Sequence, residues 1–521
     1  MLPGGLDDER FGALRRGLRK VGFRPMAKRR AVTEGEVFVF PAQPDGWGAC
    51  QVVRVEGSAV EVVTLDHASD TRPTLETVRL VPLEQHRFGY KGEIARCHVC
   101  DALPDDFVSL GVAPAVLPAT PGSQIYAFWD GLRGDALYER RWLRLPEAVR
   151  TAYKAARPSV QVTLPLPTGP HTASQCVSSL HLAFGPAPPR DRIWLWAGEG
   201  ASFDWRGLDV FPQLTHLGVC GDAPGALAWC AGHPLVQSLT WRGAGDTLDL
   251  SGHDLTQLEL PAAGCARVVL SPGLRTLILA LDPARPVEVV AADGGSGLAL
   301  TVRVHDEADL AGLRGLDAVR KLTVEDFVSF DLRALGRWAS LRDLELVGAP
   351  GRLSYSASLA ERRGLEVLRL WNCVAVDADA MPPLSAWPAL RKLRVWGLGA
   401  AEAAVLRGRW GRDRRLRLTG ALDEAAVFAR ADIPMQRWPS SVLRMRVCTA
   451  YSRAAKSLVK PGLTEAKARR ALAAYAAVLK REGPDLDAGQ RRDLDAAWDR
   501  LVARAEAQVP GAGLRALPRA W

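Results

Sequence analysis

Chemistry in this chain has few places to begin. Cys97-His98-Val99-Cys100 is the one close cysteine pair, a spacing that serves redox dithiols and half of a zinc site. His86 lies nearby, but no second CxxC or HxxxH follows at zinc-finger spacing. Two ordinary thiols therefore compete with a metal half-site, and no metal ligand is assigned. Asp293-Gly-Gly-Ser-Gly297 is glycine-rich but lacks the Lys-Ser/Thr of a phosphate loop, so it reads as a turn. Walker A, dinucleotide, HExxH and GxSxG patterns are absent, and the nine histidines are dispersed. No catalytic residue and no cofactor is assigned. The expectation is a protein that is not an enzyme, with a novel active site in residues 33–150 as the alternative.

Residues suited to recognition stand out more clearly. Arg369-Leu-Trp371 and Arg394-Val-Trp396 repeat one motif, and Lys392 precedes the second. Trp and Arg are the types most enriched at binding hot spots. Whether these side chains share a surface depends on the elements that carry them.

Those elements are periodic. Leu341-Arg-Asp-Leu344-Glu-Leu346, Leu365-Glu-Val-Leu368-Arg-Leu370 and Leu390-Arg-Lys-Leu393-Arg-Val395 share the template L-x-x-L-x-L. Loosened to any aliphatic residue (and once Ala or Trp), it begins at Leu214, Val236, Leu255, Leu274, Ala299, Val319, Leu341, Leu365 and Leu390. The starts are 22, 19, 19, 25, 20, 22, 24 and 25 residues apart. On this template and period the stretch resembles the leucine-rich repeat family, although the asparagine usual at the ninth position is mostly missing. The resemblance implies a solenoid with a parallel sheet on its concave face, and a protein partner bound there. Positions four and six of each strand should face the core, because strand side chains alternate. Positions three, five and seven should face solvent. Trp371 and Trp396 then fall at position seven, Arg369 and Arg394 at position five, and Lys392 at position three. Glu325, Asp343 and Glu345 add an acidic zone to the same face, so a partner would need charges of both signs. In the competing reading, each tryptophan lies flat over its own repeat and shields the core.

The 521 residues are too many for one globular core, so three or more units are expected. Residues 1–32 form a basic tail or short helix over Asp7–Lys20. Of the net +9, +6 falls in residues 1–30, which suits either an electrostatic contact or a solvated tail. Residues 33–150 alternate with period two. Glu36–Phe40, Cys50–Val55 and Ala59–Leu65 read as strands with tight turns, and the segment around Trp129 and Trp142 as further strands or loops. Gly35-Glu-Val-Phe-Val-Phe40 followed by Asp45-Gly-Trp-Gly-Ala-Cys-Gln-Val-Val-Arg-Val55 resembles the opening of the immunity protein 26 family, proposed antidotes to bacterial toxins. That resemblance implies neutralisation of a toxin by direct binding; a repeat scaffold or regulator unrelated to toxins is the rival. Residues 151–172 read as a proline-rich linker or an extended lead-in to the repeats, 173–420 as the solenoid and 421–521 as a helical domain. In that last region Leu472, Tyr475 and Leu479, then Leu494, Trp498 and Leu501, keep helical spacing, and Asp487 with Gln490 forms a capping box. No apolar run is long enough to cross a membrane, and no secretory signal is visible. With an odd number of scattered cysteines, the expected location is a reducing cytoplasm. Nucleic acid is not the expected partner, since no aromatic interleaving accompanies the basic stretch. Heavy use of Arg and Ala suits a bacterial coding sequence.

Overall fold

The computed structural model describes residues 32–42, 46–56, 59–99, 103–104, 106–118, 126–127, 129–185, 194–198, 203–243, 245–260, 265–282, 284–411, 413, 415–430, 433–438, 442–482 and 486–517. The basic tail and its expected helix lie outside these residues, as do Cys100 and the expected helix cap at Ser440 or Ser441. The chain divides into two compact units. One holds residues up to Val162 with Thr172–Ser178 and Asp209–Gln213; the other holds the remainder.

In the first unit, β1 (Glu36–Pro41), β2 (Trp47–Glu56) and β3 (Ala59–Ser69) form the antiparallel meander expected from the alternation. Short strands β4 (Glu84–Gln85) and β5 (Glu93–Ile94) pair apart from them. β6 (Arg96–Val99), β7 (Val108–Val112) and β8 (Tyr126–Ala127) complete a sheet ordered β7-β1-β2-β3-β6-β8. Both faces of β1 are buried. Phe38 and Phe40 join Cys50, Val52, Val62, Cys97, Phe107 and Trp129 on one side, while Val37 and Val39 join Ala49 and Leu65 on the other. Trp47 packs, partly buried, on this second cluster.

The glycines flanking Trp47 have separate physical roles. Gly46 takes a left-handed φ of 117°. Gly48 lies under the Phe40 ring, where a Cβ would come within 2.6 Å of it. The segment around Trp129 and Trp142 is helical rather than extended. A short 3-10 turn at Trp129–Leu132 leads into α1 (Asp135–Arg144), then α2 (Glu147–Ala155). Asp135 opens α1, and Arg141 and Arg144 lie in its last turn, matching the helix dipole.

The stretch expected as a linker is also ordered. α2 covers part of it, and Gln161–Leu166 and Gly169–Ser174 form a two-stranded ribbon. Pro165 and Pro170 fit there because both strands of a ribbon are edge strands, which tolerate a missing N–H.

The second unit is built on a twelve-stranded sheet running from Leu195–Gly198 through Ser179–Phe184 to Leu416–Thr419, with every neighbouring pair parallel. One leucine ladder runs through eleven of the strands in register: Leu180, Leu217, Leu239, Leu258, Leu277, Leu300, Leu322, Leu344, Leu368, Leu393 and Leu416. From Leu217 to Leu393 these leucines are at most 1 % exposed. Such a stack buries in common the apolar faces that no single repeat could bury alone. The arrangement is leucine-rich-repeat-like.

Register corrects one expected start. Ala299 pairs with Thr276 and Lys321, which places Leu300 rather than Val302 at position four. Leu298 makes the opening turn, donating its N–H to Gly295 as Leu274 does to Ser271. The slip is two residues, so the inward and outward faces are unchanged.

The return segments change character along the array. Between Thr247 and Arg314 they are strands, which form a second, four-stranded parallel sheet. After Arg314 they become 3-10 turns and finally the helix Ala400–Trp410. Buried indoles stitch successive repeats together. Trp338 donates to the Leu316 carbonyl at 3.0 Å, Trp387 to Leu359 at 2.8 Å and Trp410 to Pro382 at 2.9 Å. Cys373 occupies the ninth position of its repeat, and its thiol lies 3.7 Å from the Leu346 carbonyl of the preceding one.

After the array, the helices Val442–Leu458, Glu465–Glu482 and Ala488–Gln508 enclose a core containing Leu472, Tyr475, Leu479, Leu494, Trp498 and Leu501. Asp487 and Gln490 cap the last helix reciprocally.

Candidate functional site: the open face of the long sheet

Because the leucine ladder fixes which side faces the core, positions three, five and seven define the opposite, open face. Strands about 4.8 Å apart bring equal positions together. Trp371 is in register with Trp396, and Arg369 with Arg394 and then Arg417. Lys392 stands beside Val367 and is exposed. Trp371 is half-buried, whereas Trp396 is 40 % exposed. The Trp396 indole rests on Gly420, where a Cβ would come within 2.4 Å of Nε1. It thus leans towards the end of the array, and no ring contact joins it to Trp371 among the described residues.

The acidic zone is ion-paired within the sheet. Arg369 donates to Asp343 at 2.7 Å and to Glu345 at 3.3 Å. Arg303 reaches Glu259 at 2.9 Å and Glu325 at 3.4 Å. A partner meets these acids already paired, because the register sets each arginine one or two strands from its acids. Arg394 differs. Its guanidinium lies 3.5 Å from the backbone carbonyls of Leu393 and Arg415. Burial, then Arg417 and Arg369, pull its pKa below the ordinary arginine value.

The other end of the same face carries a polar chain that spacing did not reveal. Ser238 Oγ lies 2.7 Å from His216 Nδ1, and Thr240 Oγ1 lies 3.1 Å from His216 Nε2. Thr240 donates onward to Glu259 at 3.4 Å. An ionised carboxylate only accepts, so Arg303 and Thr240 both donate to Glu259. His181 lies 5.0 Å from His216, ring to ring, and its imidazole covers Gly218. Thr240 is fully buried and Glu259 is 4 % exposed, so the chain forms a rigid polar seam. The signal was available in the sequence as His216, Ser238, Thr240 and Glu259 at outward template positions; reading histidines by sequence proximity missed it.

In the first unit, Cys97 faces the core beside Cys50. Burial, then Cys97, holds the Cys50 thiol well above its ordinary value. Burial also pushes Cys230 and Cys373 up to about 12, so these thiols are poor nucleophiles at neutral pH. Among the described residues, no group of three or more His, Cys, Asp or Glu is placed to hold a metal. A cleft of about 400 Å³ is lined by His86, Trp142, Leu143, Glu147, Arg150 and Lys154, among others. Two of these groups are engaged locally: His86 lies 3.3 Å from Glu84, and Lys154 donates to the Tyr90 carbonyl at 2.8 Å.

No family model matches the chain. No curated protein matches it either. Among solved structures it is similar to one described as "Crystal structure of LRIM1/APL1C complex". The match has 13% sequence identity and a TM-score of 0.25, and covers 57% of this chain and 74% of that one. The reading of the fold rests on the register of this chain's own strands. No helix among the described residues is long and apolar enough to cross a membrane.

Proposed function

We propose that this chain is a non-enzymatic protein-binding protein, acting in the cytoplasm without a cofactor. Its binding surface is the open face of the long sheet, centred on Trp371 and Trp396, with Arg369, Arg394 and Lys392 around them. The observation that carries the reading is register: the tryptophans are strand neighbours beside the arginine column. A rigid sheet presents them at little entropic cost, and large aromatics with arginine dominate binding hot spots.

The finer version is neutralisation of a toxin by direct binding. Its support is the N-terminal Gly-Glu-Val-Phe run with the Gly46-Trp47-Gly48 turn. A scaffold or regulator unrelated to toxins would use the same face, and no observation favours an enzyme in residues 33–150.

The test begins with capture of a partner from the source cell, followed by its purification and titration against the chain. The Trp371→Ala, Trp396→Ala double variant should keep its thermal transition and lose at least ~2 kcal/mol of binding free energy. Unchanged affinity for a confirmed partner, or unfolding of the variant, defeats the reading.

A further inference from the structure

Along the open face, each of the acids Glu259, Glu325, Asp343 and Glu345 has an arginine partner. Glu259 and Glu325 share Arg303, and Asp343 and Glu345 share Arg369. In the next two strands the position-five column continues as Arg394 and Arg417. Among the described residues neither arginine has an acidic partner. Arg394 is half-buried, and its two carbonyl contacts at 3.5 Å are at the outer limit of a hydrogen bond. Its neighbours in the column are both guanidiniums, and a cation held so gains from an anion placed over it.

The groups beside this column are also donors. The indole N–H groups of Trp371 and Trp396 meet no acceptor among the described residues, and Trp396 is 40 % exposed. Lys392 is exposed at position three of the same strand. The charged and aromatic side chains of the patch therefore offer donors and flat apolar surface. Its complement is a planar, anionic acceptor attached to something apolar.

We propose that this end of the sheet binds an acidic protein segment, with a carboxylate seated on Arg394 and Arg417 and a neighbouring large apolar side chain laid against Trp371 and Trp396. The inference rests on the open face being the binding surface and names the chemistry of its partner. A carboxylate matches the guanidinium fork, giving short charge-assisted bonds. A nucleic acid fits less well. Its phosphates need a basic track along the strand direction or across many strands, whereas this column ends after Arg369, where Glu345 and Asp343 stand.

The experiment uses the full chain and a short fluorescein-labelled peptide of repeating Glu-Glu-Leu. Controls are the same peptide with Gln for Glu, and a single-stranded oligothymidylate. Fluorescence anisotropy should show the Glu peptide binding at least about tenfold tighter than the Gln peptide. The Arg394→Gln, Arg417→Gln variant should erase that preference while keeping its thermal transition. The Trp371→Ala, Trp396→Ala variant should weaken both peptides and leave the preference in place. Equal binding of the two peptides, with loss of both in the tryptophan variant, overturns the carboxylate inference and leaves the binding face standing. A Glu preference that survives loss of both arginines, tighter binding of the oligothymidylate, or no binding of the Glu peptide overturns it as well.

Discussion

His67 shows how a single side chain ties the stability of the first unit to pH. It is 8 % exposed, and its Nδ1 accepts the Arg79 N–H at 3.2 Å. Burial, then Arg140, lowers its pKa from 6.5, against a smaller opposing effect of Asp66. The unfolded chain therefore takes up this proton before the folded one, and the imidazole's contribution is lost as pH falls below 6.5. Protonation at Nδ1 also removes the acceptor for Arg79. The denaturant midpoint of the first unit should fall between about pH 7.5 and about pH 5. The fall should be smaller in a His67→Gln variant, which isolates this group from the other histidines. Parallel pH profiles for the two proteins would show that His67 is not the cause.

At the scale of elements, the repeats are held by two devices with different visibility. The leucine ladder fills the interior, and buried indoles pin one return segment to the one before. Trp338 and Trp387 both stand three residues before a template leucine, in Trp338-Ala-Ser-Leu341 and Trp387-Pro-Ala-Leu390. Both are wholly buried. Replacing Trp387 by Phe keeps a ring but removes the 2.8 Å indole donor to the Leu359 carbonyl, which retains the Arg362 N–H at 3.1 Å. That change should cost roughly 0.5–1.5 kcal/mol in urea unfolding. Trp396→Phe, on the open face, should cost under about 0.5 kcal/mol. Equal losses for the two variants would mean that the pin contributes nothing specific.

At the scale of the molecule, the boundary of the first unit lies beyond residue 150. A cut there falls inside α2 and removes Tyr153. Its ring lies 5.2 Å from that of Trp142 and 5.7 Å from that of Phe88. The same compact unit takes in Thr172–Ser178, where Gln175 donates its N–H to the Val160 carbonyl at 2.9 Å. A fragment of residues 32–178 should therefore melt at least about 4 °C above one of residues 32–150, and calorimetry on the two fragments decides it. If the shorter fragment melts as high, the aromatic cluster is not part of the unit's cooperative core.

The sequence alone determined the repeat, because the pattern that a parallel strand must bury is local. Leu344, Leu346, Leu368, Leu370, Leu393 and Val395 were legible as core residues from spacing, and all are at most 1 % exposed. The same spacing gave the side of the sheet on which Trp371, Trp396, Arg369, Arg394 and Lys392 stand. It failed at Leu300, where Gly297 fills the opening position and the aliphatic template slid two residues. It left Pro165 and Pro170 between a linker and an extended lead-in to the repeats, since a proline in an edge strand and one in a linker look alike in one dimension. Which charges cancel was decided only by tertiary structure. Arg369 meets Asp343, 26 residues away, Arg303 meets Glu259, 44 residues away, and Arg394 meets other arginines. Those outcomes depend on which strands are neighbours and in what register, and ion pairing acts through space over a few ångströms rather than along the chain.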